Sequence, residues 1–183
     1  SGSEMKLRFT EAEINTLYEY CRNGGRLIMD SAAIGFFADE KNIYDLSAGA
    51  KILGGSRYVY DEFKGQPTEL ARSIFGEKAD ALNNFPAGRG PALGGLTSIK
   101  VLQSGGNNVV LFGVNRCGKG AFIYSARSIT PEGKDYNGLM QTLMNGLKNM
   151  AFLDKYFPLP QSNQAALCGG KRVHLAIGGS KYL

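Results

Sequence analysis

The chain has 183 residues, of which 43% are hydrophobic and 20% charged, the composition of an ordinary globular protein of about one domain. Its net charge is +5. The basic residues are scattered and are not interleaved with aromatic residues, so we expect no nucleic-acid partner. No apolar run approaches the ~18 residues of a membrane span, so none is expected. Glycine is in excess, with 25 residues. Its Gly-Gly pairs share no period, which excludes a repeat array.

The cysteines and the N-terminus say little about the compartment. Cys21, Cys117 and Cys168 are widely spaced, which favours buried free thiols, with one disulfide and a spare thiol as the alternative in an exported protein. The polar N-terminus has no signal-peptide pattern. Ser1-Gly2-Ser3 is typical of an expression remnant, so we expect a piece of a longer protein, and its localisation stays open.

In chain order, the first predicted element is a helix that begins after Thr10. Thr10 and Glu13 have the spacing of a capping box, in which each side chain satisfies a backbone N–H of the other residue. Apolar residues then recur at helical spacing up to Cys21, and Gly24-Gly25 predicts the end of the helix. The apolar run Arg26–Asp30 follows as a predicted buried strand. Helix, turn and strand together are typical of an α/β unit.

The middle of the chain gives weaker signals. The predictions there are a helical segment near Ile43–Ala50, a short strand at Arg57–Tyr60, a helix at Thr68–Phe75 that follows Pro67, one further turn at Glu77–Leu82 and a loop at Asn83–Leu96. The loop rests on glycine and proline content alone.

The last third predicts a small antiparallel sheet followed by a helix. Its strands are Ser98–Gln103, Val109–Val114 and Gly120–Ser125, joined by Gly/Asn-rich turns that favour a meander. A helix near Tyr136–Met150 has its leucines on one face, which indicates a core-facing stripe. The tail ends in an apolar run, Arg172–Ile177, predicted as a closing strand.

Two stretches carry a family resemblance: FTEAEINTLYEYCRNGGRLIMD at 9–30 and NRCGKGAFIYSARSITPEGKDYNGLMQTLMNGLKNMAFL at 115–153. They resemble the non-catalytic or uncharacterised branches of the class I glutamine amidotransferase-like superfamily. The resemblance implies an α/β domain over 5–153, with a three-layer flavodoxin-like sheet and an antiparallel extension. Gly118-Lys119-Gly120 lies where the family turns between two strands. Residues 154–183 are expected to be a C-terminal extension.

The chain departs from that family at two points. The family's first β-α-β unit would precede Phe9, where this chain has few residues. Three explanations stay open: the unit is omitted from this piece, a partner completes the sheet, or the resemblance covers only part of the fold. Catalytic members also need a cysteine on a glycine-flanked elbow and a His-Glu pair. The chain has no such elbow, and its single histidine is His174. Amidotransferase activity is therefore not expected.

Polar residues at two predicted strand ends suggest a ligand crevice. Asp30 and Ser31 follow one strand, and Ser125 and Arg127 lie at the end of another. In open α/β sheets, ligands bind beyond the carboxyl ends of strands, so these side chains would converge if the strands are parallel neighbours. Arg127 could then bind a small anionic ligand. The alternative is structural: Asp30 or Ser31 caps the next helix, and Arg127 pairs with a surface carboxylate.

The sequence leaves two functions open. The first is a non-catalytic binding or assembly module whose partner is another protein or a neighbouring domain, with contact surfaces at 84–97 and in the tail after Phe157. The second is a hydrolase or transferase that uses Asp30, Ser31 and Arg127, with Ser31 as a candidate nucleophile and His174 as a candidate base. The glycines of a nucleophile elbow are missing around Ser31. No cofactor and no metal site are expected.

Overall fold

The structure is a computed structural model that describes residues 8–84, 87–96, 99–104, 109–126, 134–159, 166–168 and 171–173. It confirms the α/β class. The helices are α1 (Glu11–Arg22), α2 (Ala50–Leu53), α3 (Glu69–Phe75), α4 (Lys134–Gly146) and α5 (Met150–Tyr156), with 3-10 turns at Ala33–Phe37, Ser47–Gly49 and Gly76–Leu82. The strands are β1 (Arg26–Asp30), β2 (Gly55–Pro67), β3 (Ala87–Leu96), β4 (Ile99–Ser104), β5 (Val110–Cys117), β6 (Gly120–Ser125), β7 (Ala166–Cys168) and β8 (Lys171–Val173).

Six strands form one mixed sheet in the order β1-β6-β5-β3-β2-β4, and β4 also pairs with β5. The β1–β6 pair is parallel, and the other pairs are antiparallel. Because β4 returns to β5, each described strand of this sheet has at least two neighbours except β1, which pairs with β6 alone. Strand β1 is therefore the free edge of the described sheet.

The start of the chain folds as its local sequence predicts. The Thr10 Oγ1 atom accepts a hydrogen bond from the Glu13 N–H at 3.3 Å, and the Thr10 N–H donates to the Glu13 carboxylate at 2.7 Å. This reciprocal capping box begins α1. The apolar stripe of α1 then faces the core, with Ile14 and Cys21 buried. The parallel strand β1 follows at Arg26–Asp30, but the predicted burial of this strand is wrong: Ile28 is exposed and the other four residues are half-buried, because β1 lies at an edge of the described sheet.

The predicted loop at Asn83–Leu96 is wrong, because residues 87–96 form β3, an inner strand between β5 and β2. Within this strand, Gly94 serves close packing rather than a turn. A Cβ at Gly94 would lie 2.8 Å from Val59 Cγ2, closer than side-chain carbons approach. The predicted strand at Arg57–Tyr60 is likewise too short, since β2 spans Gly55–Pro67 and pairs with β3 as far as Lys64 and with β4 from Gly65 onward.

The C-terminal predictions hold in part. Instead of one helix at Tyr136–Met150, α4 ends at Gly146, and the Asn149 side chain accepts the Ala151 N–H at 2.8 Å to begin α5. Helix α5 spans the predicted domain boundary at 153. The Arg172–Ile177 run contributes Arg172 and Val173 to β8, which pairs with β7; residues 174–177 lie outside the described residues.

The junction between α1 and the β5–β6 hairpin depends on two glycines. Gly118 has a φ of 56°, a left-handed conformation that glycine adopts without strain. A Cβ at Gly120 would overlap the carbonyl oxygens of Cys21 and Gly25. The Lys119 N–H donates to the Arg22 carbonyl at 3.0 Å, and the Ala121 N–H donates to the Gly25 carbonyl at 3.1 Å. These contacts place β1 beside β6.

We expect Gly120→Ala to lower the free energy of unfolding by roughly 1–3 kcal/mol or more, because the added methyl overlaps fixed backbone atoms. Gly138→Ala is the matched control: it lies in α4 with no atom near its missing Cβ, so alanine should stabilise by about 0.5–1 kcal/mol. Urea denaturation of both variants measures the difference. Equal stability of the two variants would contradict the close approach.

Candidate functional site

The carboxyl ends of β1 and β6 lie side by side. These strands pair in parallel, with Asp30 opposite Ser125 in the register, so the structure brings together the ends of two strands that the sequence treats as candidates. Asp30 is half-buried, while Ser125 is 4% exposed. Ser31 follows Asp30 and lies beside the end of β6, since its Oγ donates to the Ala126 carbonyl at 3.3 Å. Three of the four predicted ligand-binding residues are therefore neighbours.

The polar atoms of Asp30 and Ser31 are engaged within the chain. The Asp30 Oδ1 atom accepts the N–H groups of Ala32 and Ala33 at 3.0 and 2.9 Å. These bonds fix the turn from β1 into the 3-10 turn at Ala33–Phe37, where the first N–H groups would otherwise lack acceptors. The sequence offered two roles for Asp30, binding a ligand or capping the next helix. The observed hydrogen bonds correspond to the second role.

Two of the residues invoked for chemistry, Arg127 and His174, lie outside the described residues. The pairing of Ser31 with His174 as nucleophile and base therefore stays a prediction. So does the role of Arg127 as an anion-binding cation. Among the described residues, no group of three His, Cys, Asp or Glu side chains could hold a metal ion.

A buried tyrosine lies close to this end of the sheet and was not singled out from the sequence. Tyr124 precedes Ser125 on β6 and is 1% exposed. Within the described part of the chain its hydroxyl has no hydrogen-bond partner. Burial raises the pKa of Tyr124, and the nearby Tyr58 adds to that increase. The hydroxyl is therefore neutral at physiological pH. The sequence could not show this, because a tyrosine within a predicted strand gives no sign that its hydroxyl is buried without a hydrogen-bond partner.

Cys117, which lies beside Arg116 in β5 and close to Lys119, is a buried thiol. Cys117 is 3% exposed, and its Sγ lies 3.8 Å from the Lys51 carbonyl oxygen. The neighbouring Cys21 thiol, together with burial, raises the pKa of Cys117. Both Cys21 and Cys117 are free thiols. A protonated, enclosed thiol is a poor nucleophile, so the hairpin packing role fits Cys117.

A groove lies elsewhere, between α3, the following 3-10 turn and α4. Its volume is about 760 Å³. The lining residues are Ile74, Phe75, Glu77, Lys78, Ala81, Gly138, Leu139 and Thr142. None of them is a candidate residue from the sequence, and no His or Cys is among them. The described lining residues supply one carboxylate, from Glu77, and one ammonium group, from Lys78, and include no His or Cys that could form a nucleophile–base pair.

No protein-family profile and no curated protein matches the chain. Solved structures do resemble its fold. The cytoplasmic protein STM1381 from Salmonella typhimurium LT2 aligns with a TM-score of 0.51 and 15% identity, over 74% of this chain and 60% of that chain. The cold-adapted beta-galactosidase from Rahnella sp. R3 aligns with a TM-score of 0.50 and 15% identity, over 86% of this chain and 24% of that chain. The chain thus spans less than two thirds of each of these proteins, and these likenesses show a shared fold.

Proposed function

We propose that this chain is a non-catalytic binding or assembly module of a larger protein or complex, and that it belongs to the glutamine amidotransferase-like, flavodoxin-like class that its sequence resembles. The hydrogen bonds of the crevice residues support the proposal that the module is non-catalytic. Asp30 and Ser31 direct their polar atoms to backbone groups of the chain itself. The alternative, a hydrolase or transferase that uses Asp30, Ser31 and Arg127, has no specific observation in its favour among the described residues.

The observation that carries the proposal is the free edge at β1. The strand reads RLIMD, and its central Ile28 is 51% exposed. Strands in parallel pairing are usually buried on both faces, and edge strands are usually short, charged or covered. Here an apolar side chain lies exposed on a strand that has one partner within the described sheet. Such an edge is typical of a surface that another chain or domain covers.

Exposed apolar side chains continue from this edge onto α5 and the residues after it. The Arg26 Nη2 atom lies 3.5 Å from the Met150 sulfur. Met150 and Leu159 are 42% and 49% exposed, and both line a groove of about 440 Å³. Leu159 belongs to the tail predicted as a contact surface. The other predicted contact surface, 84–97, is instead mostly the inner strand β3.

The comparisons agree with a modular role. The fold shared with the Rahnella beta-galactosidase occupies 24% of that chain, so the same architecture occurs as one part of a much larger protein. For the present chain we propose a comparable position within a larger assembly, without the galactosidase activity.

We expect Asp30→Ala to lower the free energy of unfolding by about 1 kcal/mol, as the loss of a helix-capping side chain does. Asp30→Asn should stay within ~0.5 kcal/mol of the native chain, because its amide oxygen still accepts the Ala32 and Ala33 N–H groups. Denaturant unfolding measures both values. If both variants are as stable as the native chain, the Asp30 carboxylate has no structural role in this turn. That result would favour the alternative, in which Asp30 binds a ligand in the crevice.

The proposed binding role is tested by measuring how tightly the chain binds its partner. A protein captured from the source organism should be identified, purified and reconstituted with this chain. We expect Ile28→Lys to weaken that complex at least ~10-fold, because it adds a charge to the apolar edge. Ser31→Ala should leave binding unchanged, because Ser31 lies beyond β1 and its hydroxyl donates to the Ala126 carbonyl at the crevice.

Ile43→Lys is the matched control, since Ile43 is also exposed, at 44%, but lies outside the edge strand. Two results would overturn the proposal. One is a complex that tolerates Ile28→Lys and Ile43→Lys equally. The other is a small molecule whose thermal stabilisation of the chain disappears in the Asp30→Ala/Ser31→Ala pair.

A further inference from the structure

We propose that the partner at the β1 edge is a second copy of this chain, with the two β1 strands antiparallel about a twofold axis at Ile28. The inference rests on the proposed function, because it names the occupant of the edge that the module uses. It would join the two sheets into one continuous sheet across the axis.

The backbone groups that face the open edge are set by the pairing of β1 with β6. The Ala121 N–H donates to the Gly25 carbonyl, and the register is Arg26 opposite Ala121. In a parallel pair, alternate residues of a strand bond to the same neighbour. The amide groups of Leu27 and Met29 therefore bond to β6. Those of Arg26, Ile28 and Asp30 point away from it, toward the open edge.

Three outward residues centred on Ile28 make the edge self-complementary. In an antiparallel ladder, residues that exchange both N–H···O bonds recur at every second position. A twofold axis at Ile28 makes Ile28 its own partner across the axis, with Arg26 opposite Asp30 of the second copy and Asp30 opposite Arg26. Each of these three pairs can exchange two backbone hydrogen bonds. The outward groups of one copy thus match those of the other.

The side chains agree with the same register. Arg26, Ile28 and Asp30 lie on one face of β1, because side chains alternate along a strand. The axis places Arg26 opposite Asp30 at both ends, and the exposed Ile28 side chains meet between them. Within its own chain the Arg26 Nε and Nη1 groups donate to the carbonyl oxygens of Leu147, Gly24 and Lys119. An ion pair across the axis therefore uses the Arg26 Nη2 group and the second carboxylate oxygen of Asp30. In the described part of the chain, neither Arg26 nor Asp30 takes part in an ion pair. Directly opposed unlike charges and apolar pairs are the cross-strand contacts that stabilise sheets.

Other registers lack this match. A parallel arrangement of two β1 strands would place Arg26 opposite Arg26 and Asp30 opposite Asp30, which is destabilising. A slip of one residue would oppose outward groups of one copy to groups of the other that already bond to β6. A foreign apolar strand could form the backbone bonds but would not in general supply both charges. The edge therefore fits a second copy best.

The first test is the mass in solution. Sedimentation equilibrium of the whole chain should give twice the 19.7 kDa monomer mass at micromolar concentration. Ile28→Lys places two ammonium groups opposite each other and should raise the dimer dissociation constant at least ~10-fold. Ile43→Lys, with a similarly exposed isoleucine, should leave it unchanged. Circular dichroism and thermal melting establish that both variants fold.

The second test reads the register. Residues of a hydrogen-bonded antiparallel pair have Cα atoms about 5.5 Å apart, within the range that a disulfide spans. Ile28→Cys should therefore form a disulfide-linked dimer on mild oxidation. All chains in this test carry Cys168→Ser, so that the third cysteine cannot form the disulfide. The chain with native Ile28 and the Ile43→Cys chain should not form a disulfide-linked dimer, since Cys21 and Cys117 are buried.

Each remaining result overturns the inference. A native chain that is monomeric at all concentrations excludes self-pairing, and reconstitution with a different protein then decides the module proposal separately. A dimer that tolerates Ile28→Lys, or an Ile28→Cys chain that stays monomeric on oxidation, excludes this edge and this register.

Discussion

The close approach of the β5–β6 hairpin to the end of α1 determines the arrangement of the rest of the sheet. Gly120 has no side chain, so the carbonyl oxygens of Cys21 and Gly25 occupy the space of a Cβ. Bonds from the Lys119 and Ala121 N–H groups then join the hairpin to the α1–β1 turn. This backbone contact sets the register in which β1 runs parallel to β6. The side-chain positions at both the crevice and the open edge follow from that register.

One consequence is that a single strand serves two surfaces. Asp30 ends β1 at the crevice, where one carboxylate oxygen satisfies two backbone N–H groups. The same residue ends the row of outward-facing amides on the open edge. Its carboxylate has a second oxygen and further lone pairs, so the cap does not exhaust its capacity to accept. The local turn and the edge can therefore use the same carboxylate, and a substitution there affects both.

The sequence predicts the elements whose signals are local. The capping box at Thr10 and Glu13, the apolar run of β1 and the hairpin strands β5 and β6 depend on residues a few positions apart, and all form as expected. Strand β3 could not be predicted, because its glycine-rich sequence is stabilised by strands on both sides. The Asp30–Ser125 proximity was predicted only on the condition that the strands are parallel neighbours. Non-local pairing decides such features.

The charges at the ends of β1 also bear on specificity. Charged residues on an edge strand normally oppose aggregation, because an arbitrary strand leaves them unpaired or facing like charges. Arg26 and Asp30 lie two residues before and two residues after Ile28. Their charges therefore oppose pairing with most strands but favour the antiparallel twofold pair, in which each charge faces an opposite one. Pairing with most other strands would desolvate the Arg26 and Asp30 charges without a compensating contact. Pairing with an identical strand offsets this desolvation free energy with two interchain ion pairs. A five-residue edge is short for strong association, so specificity here depends on charge register more than on buried area.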